Sequence, residues 1–199
     1  QDVKSRKKND TLNVLSLFSG CGGMDLGFEG GFSVLQESVN EILSPDFINK
    51  KLKNGFVELK KTKFKTVFAN DILSDARNAW VNYFSKRGNN AEDFYQESIV
   101  DLVKMHKNGI SIFPDEVDIV TGGFPCQDFS LSGKRNGFNS HKNHKGELID
   151  DKTASIETRG QLYMWMKEVI EITLPKIFIA ENVKGLANLG EVKDIIQSD

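Results

Sequence analysis

The fold of this chain is limited above all by an apolar run at residues 117–120 that leads into the segment GGFPCQDFS. The paired Gly122 and Gly123 allow the backbone to turn sharply, and Pro125 fixes the next φ angle. This combination predicts a buried strand that ends in a rigid loop at the carboxyl edge of an α/β sheet. Ligands of open α/β sheets bind at that edge. The thiol of Cys126 is therefore a candidate nucleophile.

Apolar runs and helical spacings alternate along the rest of the chain, as they do in parallel βαβ units. We expect further strands at residues 12–18, 65–70, 94–99 and 176–180, and helices from about residue 24 and at 74–84, 100–106 and 162–172. The predicted fold class is α/β with a mostly parallel sheet.

Three segments fall outside this alternation: a polar, flexible arm at 1–11, an insertion at about 33–63, and a polar connection at about 128–158. We interpret the insertion as helical in part, with Phe47, Ile48 and Leu52 as its packing residues. Its lysine run is typical of a solvated face. A connection as long as 128–158 is usually functional or disordered, and we expect it to form a mobile loop of the active site.

Composition fits one globular domain of 199 residues, with 39% hydrophobic and 27% charged residues. No apolar stretch approaches the roughly 18 residues of a membrane helix, and the polar start is not a signal peptide. The two cysteines, Cys21 and Cys126, are far apart, which argues against a disulfide framework. A net charge of −2 neither supports nor excludes nucleic-acid binding.

Four segments, FSGCGGMDLGF, GGFPCQDFS, RGQLY and AENVKGL, occur in this order and resemble the C5-cytosine DNA methyltransferase family of restriction–modification systems. The resemblance runs from about Leu12 to the end of the chain. It implies a catalytic domain at 12–199 with a Rossmann-like methyltransferase fold, S-adenosylmethionine as cofactor, double-stranded DNA as substrate, and a bacterial cytoplasmic location. A glycine-rich loop alone is weaker, because NAD enzymes share it.

The cofactor site is expected at the first two strand ends. Gly20, Gly22 and Gly23 allow close approach of the backbone to a ligand, and the next helix would offer its N–H groups. Asp71, at the end of the second strand, is placed to accept hydrogen bonds from ribose hydroxyls. The resemblance implies further cofactor-binding residues: Phe18, Ile72, Ser98, Ile99, Pro125 and Leu162. Where the family commonly has an acid for the adenine amino group, this chain has Ser98. Either Ser98 or Glu97 takes that role, or the alignment is shifted by one residue.

The chemistry is assigned to Cys126 and Glu181. Cytosine C5 is a poor nucleophile, and attack of a thiolate on C6 gives C5 the electron density that methyl transfer needs. A protonated Glu181 can donate to N3 as charge builds on the ring. The resemblance implies substrate-binding residues Gln127, Ser130, Ser132, Arg135, Asn182 and Val183. For Asn182, holding the loop at Pro125 is the more plausible role. His141 and His144 lack the further ligands of a metal site, so we expect no metal.

Several alternatives stay open at this point. A tRNA cytosine C5 methyltransferase is a close variant, although GGFPCQDFS favours DNA. A cofactor-binding subunit or inactive fragment that needs a second chain is another, and a NAD enzyme is a third. The family continues beyond Glu-Asn-Val with further motifs and a recognition region. We therefore expect a sheet that is incomplete on its C-terminal side, a chain inactive alone, and a second polypeptide or further sequence carrying the recognition region.

Overall fold

The computed structural model describes residues 11–125, 143–145, 147 and 162–182. Within these residues eight strands form two sheets. The strands are β1 (Leu12–Leu17), β2 (Ser33–Leu35), β3 (Ile48–Lys51), β4 (Phe56–Leu59), β5 (Phe64–Asn70), β6 (Phe94–Tyr95), β7 (Ile119–Gly122) and β8 (Ile177–Ala180). The helices are α1 (Gly23–Glu29), α2 (Ser74–Phe84), α3 (Ile99–Lys107) and α4 (Leu162–Thr173).

The central sheet has the strand order β6-β5-β1-β7-β8, and each neighbouring pair is parallel. The first strand of the chain, β1, lies in the middle of this sheet. All five strands therefore end at one edge, the carboxyl edge, where the loops after β1, β5 and β7 meet. This arrangement confirms the α/β fold class and the mostly parallel sheet.

Helices cover the sheet on two faces, because successive side chains of a strand point to opposite sides. Phe68 of β5 belongs to a large buried cluster with residues of α3 and α4. Its neighbour Ala69 belongs to a second cluster with Trp80 and Phe84 of α2. The alternation along β5 thus fixes which helices lie on which face. The helix predicted at 74–84 forms because Trp80 and Phe84 recur on its buried side.

The insertion at 33–63 is built differently from our expectation of partial helix. It folds as an antiparallel sheet of order β2-β4-β3, with only short 3₁₀ turns at residues 36–38 and 45–47. The predicted packing residues Phe47 and Leu52 are exposed, whereas Val57 is fully buried. The available signal was Asn54-Gly55, whose positive φ angles form the β3–β4 turn.

The third strand of the central sheet is shorter than predicted from residues 94–99. It ends at Tyr95, and the side chain of Asn70 donates to the carbonyl oxygens of Tyr95 and Glu97 at 3.0 and 2.7 Å. Ser98 then starts α3, and its hydroxyl accepts the backbone N–H of Val100 at 3.3 Å. Ser98 and Ile99 consequently lie at the beginning of a helix, facing the carboxyl edge.

Strand β8 forms the outer edge of the described sheet. It pairs with β7, and large apolar side chains on it are open to solvent: Ile177 and Phe178 are 57% exposed and Ile179 is 40% exposed. Unlike them, the residues of β7 are buried. No helix among the described residues is long and apolar enough to cross a membrane.

Candidate functional site

The loop after β1 is tied to the end of β5 by a reciprocal pair of hydrogen bonds. The backbone N–H of Ser19 donates to the carbonyl of Asn70 at 2.8 Å, and the N–H of Asn70 donates to the Ser19 hydroxyl at 3.0 Å. The Ser19 hydroxyl in turn donates to the carbonyl of Ser16 at 2.9 Å. Two neighbouring strand ends are thereby held in one fixed geometry.

Asp71 completes this connection. One oxygen of its carboxylate accepts the backbone N–H of Gly20 at 3.0 Å, and the other accepts that of Leu73 at 3.0 Å. Each carboxylate oxygen has a second acceptor position, so Asp71 can still receive a ribose hydroxyl. Phe18, which precedes this loop, has a φ of 53°, a strained value for a non-glycine residue. Such strain is often found at binding sites.

A cavity of about 420 Å³ opens at the carboxyl edge beside Asp71. Its volume lies within the usual range for small-molecule sites. The cavity is lined by Phe18, Asn70, Asp71, Ile72, Leu73, Ser98, Ile99, Gly123, Pro125, His144, Lys145 and Leu162. Apolar walls with one carboxylate fit a nucleoside: the walls suit a flat base and Asp71 suits ribose hydroxyls. The residues present therefore fit S-adenosylmethionine.

Most predicted cofactor-binding residues meet at this one cavity. Its lining includes the predicted Phe18, Asp71, Ile72, Ser98, Ile99, Pro125 and Leu162. Their contact with a cofactor stays a prediction, but the structure brings them together from four strand ends and from the start of α4. Sequence reasoning missed Asn70, Leu73, Gly123, His144 and Lys145. Of these, Asn70, Leu73 and Gly123 adjoin predicted residues and could have been inferred from them.

The glycines of the loop after β1 do not line the cavity, and two of them have structural roles within the protein. The N–H of Gly20 is bonded to Asp71, and that of Gly22 donates to the carbonyl of Ser19 at 3.0 Å. Gly22 has a φ of 88°, and a Cβ there would lie 2.7 Å from Trp80. What approaches Gly22 closely is therefore an aromatic ring of α2. Cofactor contact by Gly20, Gly22 and Gly23 stays a prediction.

Glu181 and the loop after β7 lie side by side. The N–H of Glu181 donates to the carbonyl of Gly122 at 2.9 Å, and a Cβ added at Gly123 would be 3.2 Å from a carboxylate oxygen of Glu181. Asn182 donates its side-chain N–H to the carbonyl of Phe124 at 3.0 Å. The structure thus shows Asn182 holding the loop at Pro125, and its contact with substrate stays a prediction.

Several predicted residues lie outside the described part of the chain. These are the catalytic Cys126 and the substrate-binding Gln127, Ser130, Ser132, Arg135 and Val183. The described residues contain no group of three or more side chains able to hold a metal ion.

Behind the first loop, Asp25 of α1 is fully buried. Burial raises the pKa of its carboxyl from 3.8 to about 6; hydrogen bonds from Ser16 and Trp80 oppose this rise, and the charge of Glu29 adds to it. The indole N–H of Trp80 donates to Asp25 at 2.7 Å. This bond fixes α2 against α1 behind the loop after β1.

The parallel sheet, the tied loops at its carboxyl edge and the nucleoside-sized cavity fit a Rossmann-like methyltransferase fold. The chain belongs to the family described as C-5 cytosine-specific DNA methylase, whose sequence model matches residues 52–198. Members of this family use S-adenosylmethionine as methyl donor. This membership removes the NAD enzyme from the alternatives.

Individual relatives come from restriction–modification systems. The chain is 34% identical over 185 residues to the Type II methyltransferase M.BsuRI of Bacillus subtilis, covering 92% of this chain and 34% of that protein. It is 30% identical over 195 residues to M.Sau96I of Staphylococcus aureus, covering 98% of this chain and 32% of that protein. It is 32% identical over 181 residues to M.AquIA of Picosynechococcus sp., covering 90% of this chain and 52% of that protein.

A solved structure supports the fold. A prophage-encoded DNA modification methyltransferase of E. coli matches with a TM-score of 0.50 and 21% identity, over 94% of this chain and 37% of that chain. At this identity the likeness concerns the fold alone. The chain spans about a third of the length of M.BsuRI and M.Sau96I.

Proposed function

We propose that this protein transfers a methyl group from S-adenosylmethionine to C5 of cytosine in double-stranded DNA. The observation that carries the proposal is the position of Gly123 and Pro125 in the cavity wall, beside Glu181. Cys126 follows Pro125 directly in the sequence. A nucleophile at this point of the chain is therefore one residue from the cofactor cavity.

In the proposed reaction the Cys126 thiolate forms a bond to C6 of the target cytosine. The electrons of the C5–C6 double bond then become available at C5, and the negative charge that develops at N3 is met by a proton from Glu181. Bound S-adenosylmethionine supplies an electrophilic methyl group. After C5 attacks that methyl group, a base takes the C5 proton and the Cys126 thiolate departs. Return of the N3 proton to Glu181 then leaves neutral 5-methylcytosine beside S-adenosylhomocysteine.

Glu181 is suited to this role by its surroundings. Its backbone is fixed by the bond to Gly122, and its carboxylate lies against Gly123, where no side chain separates it from the cavity loop. Asn182 contributes by holding the Phe124 carbonyl. Together these contacts hold the acid and the loop before Cys126 at a fixed separation.

A cytosine stacked in a duplex does not expose C6 to a thiol, so the base must leave the helix, at a cost of a few kcal/mol. We propose that the segment at about 128–158 closes over the flipped base. The proposed contacts of the protein with its substrate are made by Gln127, Ser130, Ser132, Arg135, Asn182 and Val183.

The test is covalent trapping with DNA that contains 5-fluorocytosine, in which fluorine at C5 prevents the final elimination. With S-adenosylmethionine and a polypeptide that carries a recognition region both present, we expect an adduct with the wild-type protein that Cys126→Ala abolishes. The chain has only one other cysteine. Cys21 is exposed, so Cys21→Ala is the matched control and should keep the adduct. An adduct that survives in Cys126→Ala would show that the nucleophile is misassigned. An adduct that forms with tRNA and not with DNA would show that the substrate is tRNA.

We further propose that methyl transfer needs more protein surface than these 199 residues supply. The apolar side chains exposed on β8 support this, since functional proteins normally cover such surface. We expect no incorporation of tritiated methyl groups by the 199-residue chain alone on mixed-sequence DNA. Addition of a polypeptide that carries a recognition region should restore it, and methylation by the chain alone would contradict the proposal.

A further inference from the structure

His144 lies in the cofactor cavity although it is far from the other lining residues in sequence. Its ring nitrogen Nδ1 is 2.8 Å from the hydroxyl of Ser98, 46 positions earlier in the chain. Both residues line the cavity. His144 belongs to the long polar connection after β7, which was expected to serve the DNA substrate.

A compact turn presents His144 at this position. The side-chain oxygen of Asn143 accepts the backbone N–H groups of Lys145 and Glu147, each at 3.0 Å, and the N–H of Asn143 donates to the carbonyl of Glu147 at 2.9 Å. Lys145 also pairs with Asp101 of α3 at 3.2 Å. The turn is therefore attached to α3 at two points, through Ser98 and through Asp101.

The order of the strands indicates which part of a bound cofactor lies beside His144. The methyl group must lie near Cys126, which follows β7, and the ribose is assigned to Asp71 at the end of β5. In the sheet order β6-β5-β1-β7, the strand beyond β5 is β6, which leads to Ser98. A ligand laid along these strand ends therefore places its adenine at Ser98, Ile99 and His144.

We propose that His144 is a cofactor-binding residue that forms the adenine side of the pocket, with Ser98 as its positioning partner. This inference rests on the proposed function. The imidazole ring offers a flat face to adenine, and the bond through Nδ1 fixes the orientation of that ring. Ser98 is 4% exposed and its hydroxyl also accepts the N–H of Val100, so it is a rigid partner.

Binding of S-adenosylhomocysteine, measured by calorimetry, tests the inference. We expect His144→Ala to weaken binding about two- to twelve-fold, the effect of a lost aromatic contact. Ser98→Ala should weaken it less, and the effects of the two substitutions should be less than additive because Ser98 acts in part through His144. His144→Asn keeps a hydrogen-bonding group near Nδ1 but has no ring, and should recover only part of the affinity.

The matched control is His106→Ala. The His106 ring accepts the N–H of Ile112 at 3.3 Å and packs on Phe113, away from the cavity. Its removal should leave the affinity unchanged.

A second readout does not depend on a variant that folds. The chain has three histidines, so imidazole resonances can be followed by NMR. The His144 signal should shift on addition of adenosine or of S-adenosylhomocysteine, and the His106 signal should not. If the wild-type protein binds the ligand but the His144 signal does not shift and His144→Ala keeps its affinity, the inference about His144 is wrong and the proposed function still stands. Absence of wild-type binding would overturn the proposed function as well.

Discussion

The carboxylate of Asp71 accepts the backbone N–H of Gly20 across 51 positions of sequence, at 3.0 Å. This bond joins the loop after β1 to the end of β5 before any ligand arrives. Asp71 thus serves two purposes in the proposed site. It can receive ribose hydroxyls, and it holds the loop in the geometry that the cofactor requires.

Substitution of Asp71 should therefore weaken cofactor binding. Asp71→Ala removes the ribose contact and releases the Gly20 loop, and a charge-assisted hydrogen bond is worth roughly 1.5–3 kcal/mol, or about 10- to 150-fold in affinity. Asp71→Asn keeps one acceptor oxygen but places an N–H donor against a backbone donor, so it should fall between Ala and wild type. Calorimetry with S-adenosylhomocysteine measures this. An unchanged affinity in a folded Asp71→Ala protein would refute the ribose assignment.

The first loop offers a matched pair of glycines. Gly22 has a φ of 88°, and an added Cβ would lie 2.5 Å from Phe84 and 2.7 Å from Trp80. Gly22→Ala should lower the free energy of unfolding by about 2–5 kcal/mol through strain and overpacking. At Gly23 no atom lies within 4 Å of an added Cβ. Gly23→Ala should be neutral or slightly stabilising in the same urea titration, and equal effects would contradict this packing account.

Asp25 predicts a pH dependence of stability. Its pKa is raised from 3.8 to about 6 in the folded protein, chiefly by burial. The folded state therefore binds the proton more tightly. This contribution to stability is fully present below pH 3.8 and is lost as the pH rises through about 6. It amounts to about 3 kcal/mol, at about 1.4 kcal/mol for each pKa unit.

Asp25→Asn tests this account, because asparagine can still accept the Trp80 indole N–H but carries no charge. In the wild type, loss of the Asp25 proton should lower the free energy of unfolding as the pH rises from 4 to 6. The variant should lack this decrease, and near pH 8 it should be at least as stable as the wild type. Urea titrations over this pH range measure both effects. Identical slopes for the two proteins would show that Asp25 is not the titrating group.

Asn182 should act on the reaction and not on cofactor affinity. Its side chain donates to the Phe124 carbonyl, two residues before Cys126. Asn182→Ala removes one hydrogen bond, worth about 1 kcal/mol, and should slow formation of the adduct with 5-fluorocytosine DNA. Asn182→Asp has nearly the same shape but cannot donate when ionised, so it should be equally slow. Wild-type rates in Asn182→Asp would argue against the positioning role.

The strand-and-helix order of the central domain could be predicted because its local signals agree with one another. Residues 74–84 combine helical spacing with two aromatic side chains on the buried face, and the runs at β1, β5 and β7 each end in turn-forming residues. The insertion was misjudged because β3 has one apolar residue, Ile48, among Asn and Lys, so the strand period is hidden. Its turn, Asn54-Gly55, was a stronger signal than its apolar pattern.

The candidate site was predictable where its residues follow strands and not where they come from elsewhere. Asp71 directly follows one predicted strand and Pro125 lies in the loop after another, and the parallel order alone brings them together. His144 follows no strand and has no helical or strand period around it. Its place beside Ser98 depends on a three-dimensional contact across 46 positions, which has no local sequence signal.

The central position of β1 has a consequence for synthesis of the chain. This strand is made first, yet its partner on one side, β7, pairs Val14 with Ile119, 105 residues later. At about 5–20 residues per second, a ribosome needs roughly 5–20 s to supply that partner. During this interval the edge of β1 that pairs with β7 has no native neighbour, even after β5 has paired with the other edge. An unpaired apolar edge of this kind favours aggregation of the nascent chain.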